Sequence, residues 1–181
     1  MHIPDKYYLA EGKHRKVYIH PDNPDLCIKI SKDQPRNRSR ATKRELTYLN
    51  TYKERVTCFS FFHGVVESNL GQGYIFDLIR NEDGNISRQL SELTGLAGLE
   101  KKLTSLYQLF LNNGIIVGDL NAGSIVAREK KDGDYDLIII DGTGNSDFIK
   151  ICDYSKYFLR KKLIRKFNKL YRLLELPTSF T

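Results

Sequence analysis

The order of strand-like and helix-like segments most limits what this chain can fold into. Residues 16–19 and 26–30 are β-prone and of strand length, and the polar turn at residues 20–25 separates them, which predicts a hairpin. Residues 59–66 and 73–79 form a second predicted strand pair. The first part of the chain is therefore expected to be rich in sheet.

Helical periodicity becomes more frequent further along the chain. Residues 42–52 predict a helix whose inward side includes one charged residue among its i, i+3, i+4 and i+7 positions: Glu45, Tyr48, Leu49 and Tyr52. Residues 91–112 predict a longer helix, and residues 124–127 and 136–140 predict short strands. The 181 residues are thus expected to form an α+β protein, as one domain or two small lobes around a cleft, with sheet to about residue 80 and mostly helix beyond it.

Composition excludes several classes of protein. Hydrophobic residues at 40% and charged residues at 28% are ordinary globular values, which argues against a disordered chain or a rod. Apolar runs such as Leu137–Ile140 are far shorter than the roughly 20 residues of a membrane-spanning helix, and residues 1–6 lack the pattern of a secretory signal. We therefore expect a cytoplasmic protein, in which the three widely spaced cysteines are buried, reduced thiols: Cys27, Cys58 and Cys152.

The net positive charge is concentrated at one end of the chain. Residues 150–181 hold 9 of the 29 Lys and Arg but 2 of the 22 Asp and Glu, so the remainder is balanced and the excess of +7 lies in this segment. Its apolar residues follow a helical period: Leu159, Leu163, Phe167, Leu170 and Leu174. Basic residues are expected on the other face of that helix: Arg160, Lys161, Lys162, Arg165, Lys166, Lys169 and Arg172. This face is interpreted either as a site for an anionic partner or as an ordinary solvated surface.

Two aspartates are expected to lie side by side. Asp119 follows an apolar segment and precedes a tight Ala-Gly turn, whereas Asp141 ends the buried strand predicted at residues 136–140. The two aspartates are 22 positions apart, which suffices for a short strand, a turn and a returning strand. Both carboxylates should then reach the same mouth of the cleft.

The segments around these aspartates resemble those of known enzymes. Asp119–Val126 resembles the catalytic loop of protein-kinase-like and antibiotic-kinase-like enzymes, where Asp-Leu is followed by a few residues, an Asn and two apolar residues. Ile140, Asp141 and Gly142 resemble the metal-binding Asp-Phe-Gly strand end. Four earlier segments resemble the YrbL family, small bacterial kinase-like proteins linked to the PhoP network: Gly12–Tyr18, His20-Pro21, Cys27–Ile30 and Arg44–Leu46.

The resemblance, which extends to about residue 170, implies a bilobal protein-kinase-like fold with a small β-rich N-lobe and a shortened helical C-lobe. It also implies an ATP- and Mg²⁺-dependent phosphotransferase site. By resemblance, Lys29 holds the nucleotide phosphates and Glu45 holds Lys29. Asp119 would be the general base and Asp141 a magnesium ligand. The other implied nucleotide contacts are Gly12, Lys13, Val17, Asp77 and Ile79.

The chain also departs from the kinase pattern. Ser124 occupies the position of a metal-binding Asn, and its hydroxyl is a poorer ligand, so either Asn121 takes that role or one of the metal ions is missing. Gly142 replaces the usual Phe, and Gly12 is the one obvious glycine of the phosphate hairpin. A pseudokinase that senses nucleotide and acts through a partner protein therefore stays open as an alternative to an active enzyme.

The sequence after Asp141 bears on the acceptor. Its 40 residues contain no Ala-Pro-Glu motif, which favours a small-molecule, sugar or lipid-linked saccharide acceptor over a protein. The basic helix would suit an anionic acceptor or membrane head groups, and a third interpretation is a binding module for anionic surfaces. Nucleic acid is a poorer candidate because the basic residues do not alternate with stacking aromatics in a recognised module, although three tyrosines leave it open: Tyr154, Tyr157 and Tyr171.

Overall fold

The computed structural model describes residues 1–12, 14–32, 46–52, 56–143, 155–177 and 180. The chain divides into two compact units, Met1–Arg80 and Asn81–Thr181. No helix among the described residues combines the length and the apolar character needed to cross a lipid bilayer.

The first unit contains a five-stranded antiparallel sheet with the order β1-β2-β3-β5-β4. Its strands are β1 (Tyr8–Glu11), β2 (Arg15–His20), β3 (Asn23–Ser31), β4 (Phe62–Ser68) and β5 (Gly71–Asp77). The predicted hairpin is confirmed as β2 and β3, and the second strand pair is confirmed as β4 and β5, with β4 starting later than predicted. Strand β1 was not predicted. Residues 46–52 form a helix, α1, within the predicted range of residues 42–52.

The central strand β3 is buried on both faces, as expected for a strand covered on each side. Alternate residues of a strand point to opposite faces. Ile28 and Ile30 belong to a core cluster with Ile3 and Tyr18, whereas Lys29 points to the opposite face. The first residues of the chain are fixed to this sheet, because the Asn69 side-chain oxygen accepts the Ile3 backbone N–H at 2.7 Å.

The described residues of the second unit form a small antiparallel sheet and two long helices. The sheet order is β6-β7-β8, and its strands are β6 (Arg88–Gln89), β7 (Ile125–Glu129) and β8 (Tyr135–Ile139). The helices are α2 (Leu99–Asn113) and α3 (Lys156–Leu173). Short 3-10 turns span Leu90–Glu92 and Ala122–Ser124.

The predicted helix over residues 91–112 is wrong for its first part. Helix α2 begins only at Leu99, because Gly95 and Gly98 adopt left-handed backbone conformations with φ of 66° and 68°. The leucines of this segment are spaced as in a helix, but the two glycines interrupt the helical backbone.

Aromatic side chains hold α2 against α3. The Phe167 ring packs edge-on against the rings of Tyr107 and Phe110, with centroid distances of 5.4 and 5.9 Å. The Tyr171 hydroxyl donates to the Glu100 carbonyl at 3.0 Å, which satisfies a fully buried phenol. The predicted apolar stripe of α3 is confirmed for its four buried members: Leu159, Leu163, Phe167 and Leu170.

The cysteine prediction is confirmed as far as burial is concerned for the described residues. Cys27 and Cys58 are buried free thiols, and Cys152 lies outside the described part of the chain. Burial raises the pKa of Cys58 to about 12 and also raises that of Cys27, so both thiols stay protonated and unreactive near neutral pH.

Gly73 provides a test of the packing in the first sheet. A Cβ at Gly73 would overlap Ile28 Cγ2 and lie 3.3 Å from Val66 Cγ1. We expect Gly73→Ala to lower the free energy of unfolding by about 1–3 kcal/mol through overpacking, as measured by urea denaturation. Gly64→Ala is the control on β4, since no described heavy atom lies within 4 Å of its added Cβ. Equal losses in the two variants would contradict this account of the core.

Candidate functional site

The backbone brings Asp119 directly beside Asp141 and Gly142. The Gly142 carbonyl accepts the backbone N–H groups of Gly118, at 2.9 Å, and Asp119, at 3.2 Å. Val117 and Thr143 form an antiparallel bridge at the same point. We call this arrangement the aspartate junction, residues 117–119 with 141–143. Within it, the two predicted aspartates lie on paired neighbouring segments.

A glycine is required at position 142 of the aspartate junction. Gly142 has φ of 81°, a conformation that L-residues rarely adopt. A Cβ at this position would also overlap the Asp119 carbonyl oxygen. The glycine that replaces the phenylalanine of the kinase pattern therefore permits the close approach of the two segments.

The Asp119 carboxylate is solvent-exposed and held by a neighbouring amide. Asn121 Nδ2 donates to Asp119 Oδ2 at 3.1 Å, while the next residue, Leu120, is fully buried and anchors the loop. An exposed carboxylate on an anchored loop is suitably placed to accept a proton from an approaching hydroxyl group.

Asn121 and Ser124 form a reciprocal cap on the short turn that follows Asp119. Asn121 Oδ1 accepts the Gly123 N–H at 3.0 Å, and Ser124 Oγ accepts the Asn121 N–H at 3.1 Å. Ser124 Oγ also donates to the Asn121 carbonyl at 2.8 Å, and the serine is buried. The hydroxyl predicted as a metal ligand therefore already fixes the local backbone, and one of its two acceptor positions is used.

Asp141 follows β8 and is exposed. Its Oδ1 accepts the N–H of Gly142 at 2.8 Å. The preceding Ile140 donates its N–H to the Ser124 carbonyl at 2.9 Å, so the strand end is attached to the turn after Asp119. Hard carboxylate oxygens of this kind are usual magnesium ligands.

Lys166 of α3 also reaches the aspartate junction, which the sequence did not predict. Its ammonium donates to the Gly118 carbonyl. Burial lowers the pKa of Lys166, and the Asp119 carboxylate partly opposes this shift. The available signal was its helical position, next to the apolar stripe and four residues before Leu170.

The basic residues of α3 do not all face solvent. Lys162 is buried and Lys166 is half-buried, whereas the remaining six are exposed: Lys156, Arg160, Lys161, Arg165, Lys169 and Arg172. The exposed basic surface of α3 is therefore smaller than the sequence predicted. We call Arg160, Lys161 and Arg165 the outer cations.

In the first unit, Lys29 lies where the predicted hairpin places it, on the strand next to Val17. The two residues are paired in the β2–β3 register. Lys29 is only 7% exposed, and its ammonium lies 4.2 Å from the centroid of the Phe76 ring. Its predicted partner Glu45 lies outside the described residues, as does Lys13.

The other predicted nucleotide contacts of this unit have varied surroundings. Gly12 is exposed in the β1–β2 turn, where its N–H donates to the Arg15 carbonyl at 2.9 Å. Ile79 is half-buried just beyond β5. These residues and Val17 keep their assignments as predictions.

Asp77, at the end of β5, has contacts that the sequence did not indicate. Its Oδ2 accepts the Phe61 N–H at 2.7 Å, and its Oδ1 lies 2.5 Å from His63 Nε2. Its carbonyl accepts from the buried Ser60 hydroxyl at 2.9 Å. The residue fixes the end of the sheet, and its assignment to nucleotide binding stays a prediction.

Comparison with known proteins identifies both relatives and a fold. A family model described as PhoP regulatory network protein YrbL matches residues 1–175. The YrbL proteins of Escherichia coli K12 and Shigella flexneri are each 28% identical over 171 residues, which cover 89% of this chain and 81% of theirs.

Among solved structures, a mutant PknI kinase domain from Mycobacterium tuberculosis aligns with a TM-score of 0.54 and 14% identity, over 89% of this chain and 70% of that domain. A second kinase domain aligns with a TM-score of 0.61 and 15% identity, over 96% of this chain and 63% of that domain. Identities this low establish the fold alone, and the fold is the predicted kinase-like α+β fold.

Gly142→Ala tests the aspartate junction. Strain at positive φ and the overlap with the Asp119 carbonyl are together expected to lower the free energy of unfolding by roughly 2–4 kcal/mol in urea denaturation. Gly133→Ala is the matched control, because Gly133 has φ of 82° but no described heavy atom within 4 Å of an added Cβ. The control should show only the strain, about 1–2 kcal/mol. If the two variants lose the same stability, the close approach at Gly142 is not tight.

Proposed function

The chain belongs to the family of the PhoP regulatory network protein YrbL, and on that premise we propose that it is an ATP- and magnesium-dependent phosphotransferase of the kinase-like superfamily. The observation that carries this proposal is the aspartate junction, where the Gly142 carbonyl accepts the N–H groups of Gly118 and Asp119. Phosphoryl transfer depends mainly on positioning and charge neutralisation. The two aspartates, on paired backbone segments, would supply the positioning, and the magnesium ion held by Asp141 would, together with Lys29, neutralise charge on the phosphates.

Asp119 is assigned the role of general base. Asn121 holds Asp119 Oδ2, so Oδ1 is the oxygen assigned to receive the proton of the attacking acceptor hydroxyl. That hydroxyl oxygen would form a bond to the γ-phosphorus while the bond from phosphorus to the leaving oxygen of the diphosphate breaks. ADP and the phosphorylated acceptor would be the products.

The donor set of the second unit fits a magnesium ion. Mg²⁺ usually takes one or two carboxylates together with waters and substrate phosphates. Asp141 would provide a carboxylate, and Asn121 Oδ1, which accepts one hydrogen bond, has a second acceptor position. Ser124 is the weaker candidate because its buried hydroxyl is already bonded to Asn121. Bound magnesium would neutralise charge on the phosphates.

Lys29 is assigned to the α and β phosphates. A buried ammonium is costly to hold unless it has favourable contacts, and the Phe76 ring at 4.2 Å supplies one. The predicted pairing with Glu45 remains part of the proposal. The assignment of Lys29 rests on contacts within the first unit, and those of Asp119 and Asp141 rest on contacts within the second.

The proposed acceptor is a small molecule, a sugar or a lipid-linked saccharide that carries negative charge. The outer cations of α3 support this class, because exposed basic groups attract anionic ligands over distances of about 10 Å at 0.1 M salt. The same surface would suit membrane head groups.

A second candidate function is that of a nucleotide-binding regulator without phosphotransfer activity. The observation that favours it is the Ser124 hydroxyl, which caps the turn after Asp119 where the kinase pattern has a metal-binding amide. With a capping hydroxyl in place of that amide, nucleotide binding would persist while phosphate transfer is lost.

Asparagine substitutions of the two aspartates test the proposed enzyme. We expect Asp119→Asn to lower kcat by about 10²–10⁴-fold, because general-base catalysis contributes a factor of that size. Asp141→Asn should weaken Mg²⁺-dependent ATP binding as well as transfer. The measurement is transfer of labelled phosphate to a pool of sugars and lipid-linked saccharides, together with calorimetric ATP titration in the presence and absence of Mg²⁺.

Asp132→Asn is the control, since Asp132 is exposed in the β7–β8 turn. Full transfer activity in both Asp119→Asn and Asp141→Asn would refute the enzymatic assignment. Metal-independent ATP binding by a wild-type protein that transfers no phosphate would favour the regulator.

Neutralising the outer cations tests the acceptor class. The triple variant Arg160→Gln, Lys161→Gln and Arg165→Gln should lower kcat/KM for phosphorylated sugars by roughly tenfold at low salt, since each exposed charge contributes up to about 1 kcal/mol. Neutral sugars should be unaffected. The control removes three exposed lysines elsewhere: Lys6, Lys101 and Lys131. Equal effects of the two triple variants would show only a response to net charge.

A further inference from the structure

We propose that Lys166 of α3 is a positioning residue for Asp119, holding the peptide unit from which the carboxylate projects. The inference rests on the proposed function, since Asp119 is there assigned as the general base. It assigns α3 a part in the reaction. Neither the spacing of the motifs nor the kinase pattern predicted this role.

The first argument is that one peptide unit is held at both of its polar ends. The Gly118 carbonyl accepts from the Lys166 ammonium, and the Asp119 N–H of the same peptide donates to the Gly142 carbonyl at 3.2 Å. With both groups bonded, the peptide plane cannot rotate without breaking a hydrogen bond. The direction of the Asp119 side chain is therefore set jointly by α3 and by the aspartate junction.

The second argument is that the location is electrostatically unfavourable for a lysine. Burial lowers the pKa of Lys166, as do the like charges of Lys162, Arg165 and Lys169 on the same helix. The Asp119 carboxylate acts in the opposite direction. A lysine retained in such surroundings contributes little to folding, because an apolar side chain of similar length would avoid the desolvation of an ammonium.

The third argument comes from the rigidity of the elements involved. Lys166 is followed directly by Phe167, whose fully buried ring packs on α2. On the loop side, Val117 and Leu120 are buried on either side of the bonded peptide. The hydrogen bond thus connects two anchored segments, which is the condition for precise positioning of a functional side chain.

The test compares Lys166→Met and Lys166→Arg with the control Lys169→Met, an exposed lysine on the same helix. Lys166→Met should remain as stable to urea as the wild type, or become more stable. Amide exchange at Asp119 should accelerate by roughly fivefold to tenfold, the amount expected for loss of one hydrogen bond.

In the transfer assay, Lys166→Met should lower kcat by about 100-fold, as small misplacements of reacting groups do, while KM for ATP changes by less than about twofold. Lys166→Arg keeps a charged donor and should recover most of kcat. Lys169→Met should behave as wild type in both measurements. A residue with a merely structural role would change stability without this separation of kcat from KM.

Equal Asp119 amide exchange in Lys166→Met and Lys169→Met would overturn the inference even if the enzyme is active. If the wild type transfers no phosphate, the proposed function fails, and the exchange measurement alone then decides whether Lys166 positions the loop. If Lys166→Met does not fold, Lys166→Gln replaces it in the same comparison, and normal exchange and kcat in that variant would refute the proposal.

Discussion

The Gly142 carbonyl is the group on which the candidate site depends, because it accepts two backbone N–H groups from the opposite segment. These two hydrogen bonds bring Asp119 beside Asp141, and they form only because residue 142 has no side chain to meet the Asp119 carbonyl oxygen. Side-chain interactions then refine a geometry that the backbone has already set. Asn121 holds one carboxylate oxygen, and Lys166 holds the neighbouring carbonyl.

The parts of the fold that the sequence predicted are those governed by local periodicity. The predicted hairpin placed Lys29 on the strand next to Val17, and apolar residues three or four positions apart identified α3. The start of α2 was mispredicted because two glycines with positive φ interrupt a segment whose apolar spacing is otherwise helical. Strands β1 and β6 were missed because each is short and is defined by its pairing partner.

The parts of the site that could not be predicted depend on contacts between distant residues. Lys166 and Gly118 are 48 positions apart, and no local pattern distinguishes Lys166 from the other basic residues of α3. The same holds for His63 and Asp77, which meet because β4 and β5 are paired. The proximity of Asp119 and Asp141 was predictable, because the segment between them has the length of a strand, a turn and a returning strand.

Helix α3 shows why fold and function are difficult to separate in the second unit. Its apolar face packs on α2 through Phe167, its inward lysine bonds the loop before Asp119, and its outer cations face solvent. A helix requires only the first of these faces to be stable. The inward Lys166 is unfavourable for folding stability, because its ammonium is partly buried among like charges. The same helix that packs against α2 is thus also the element that holds the loop before Asp119.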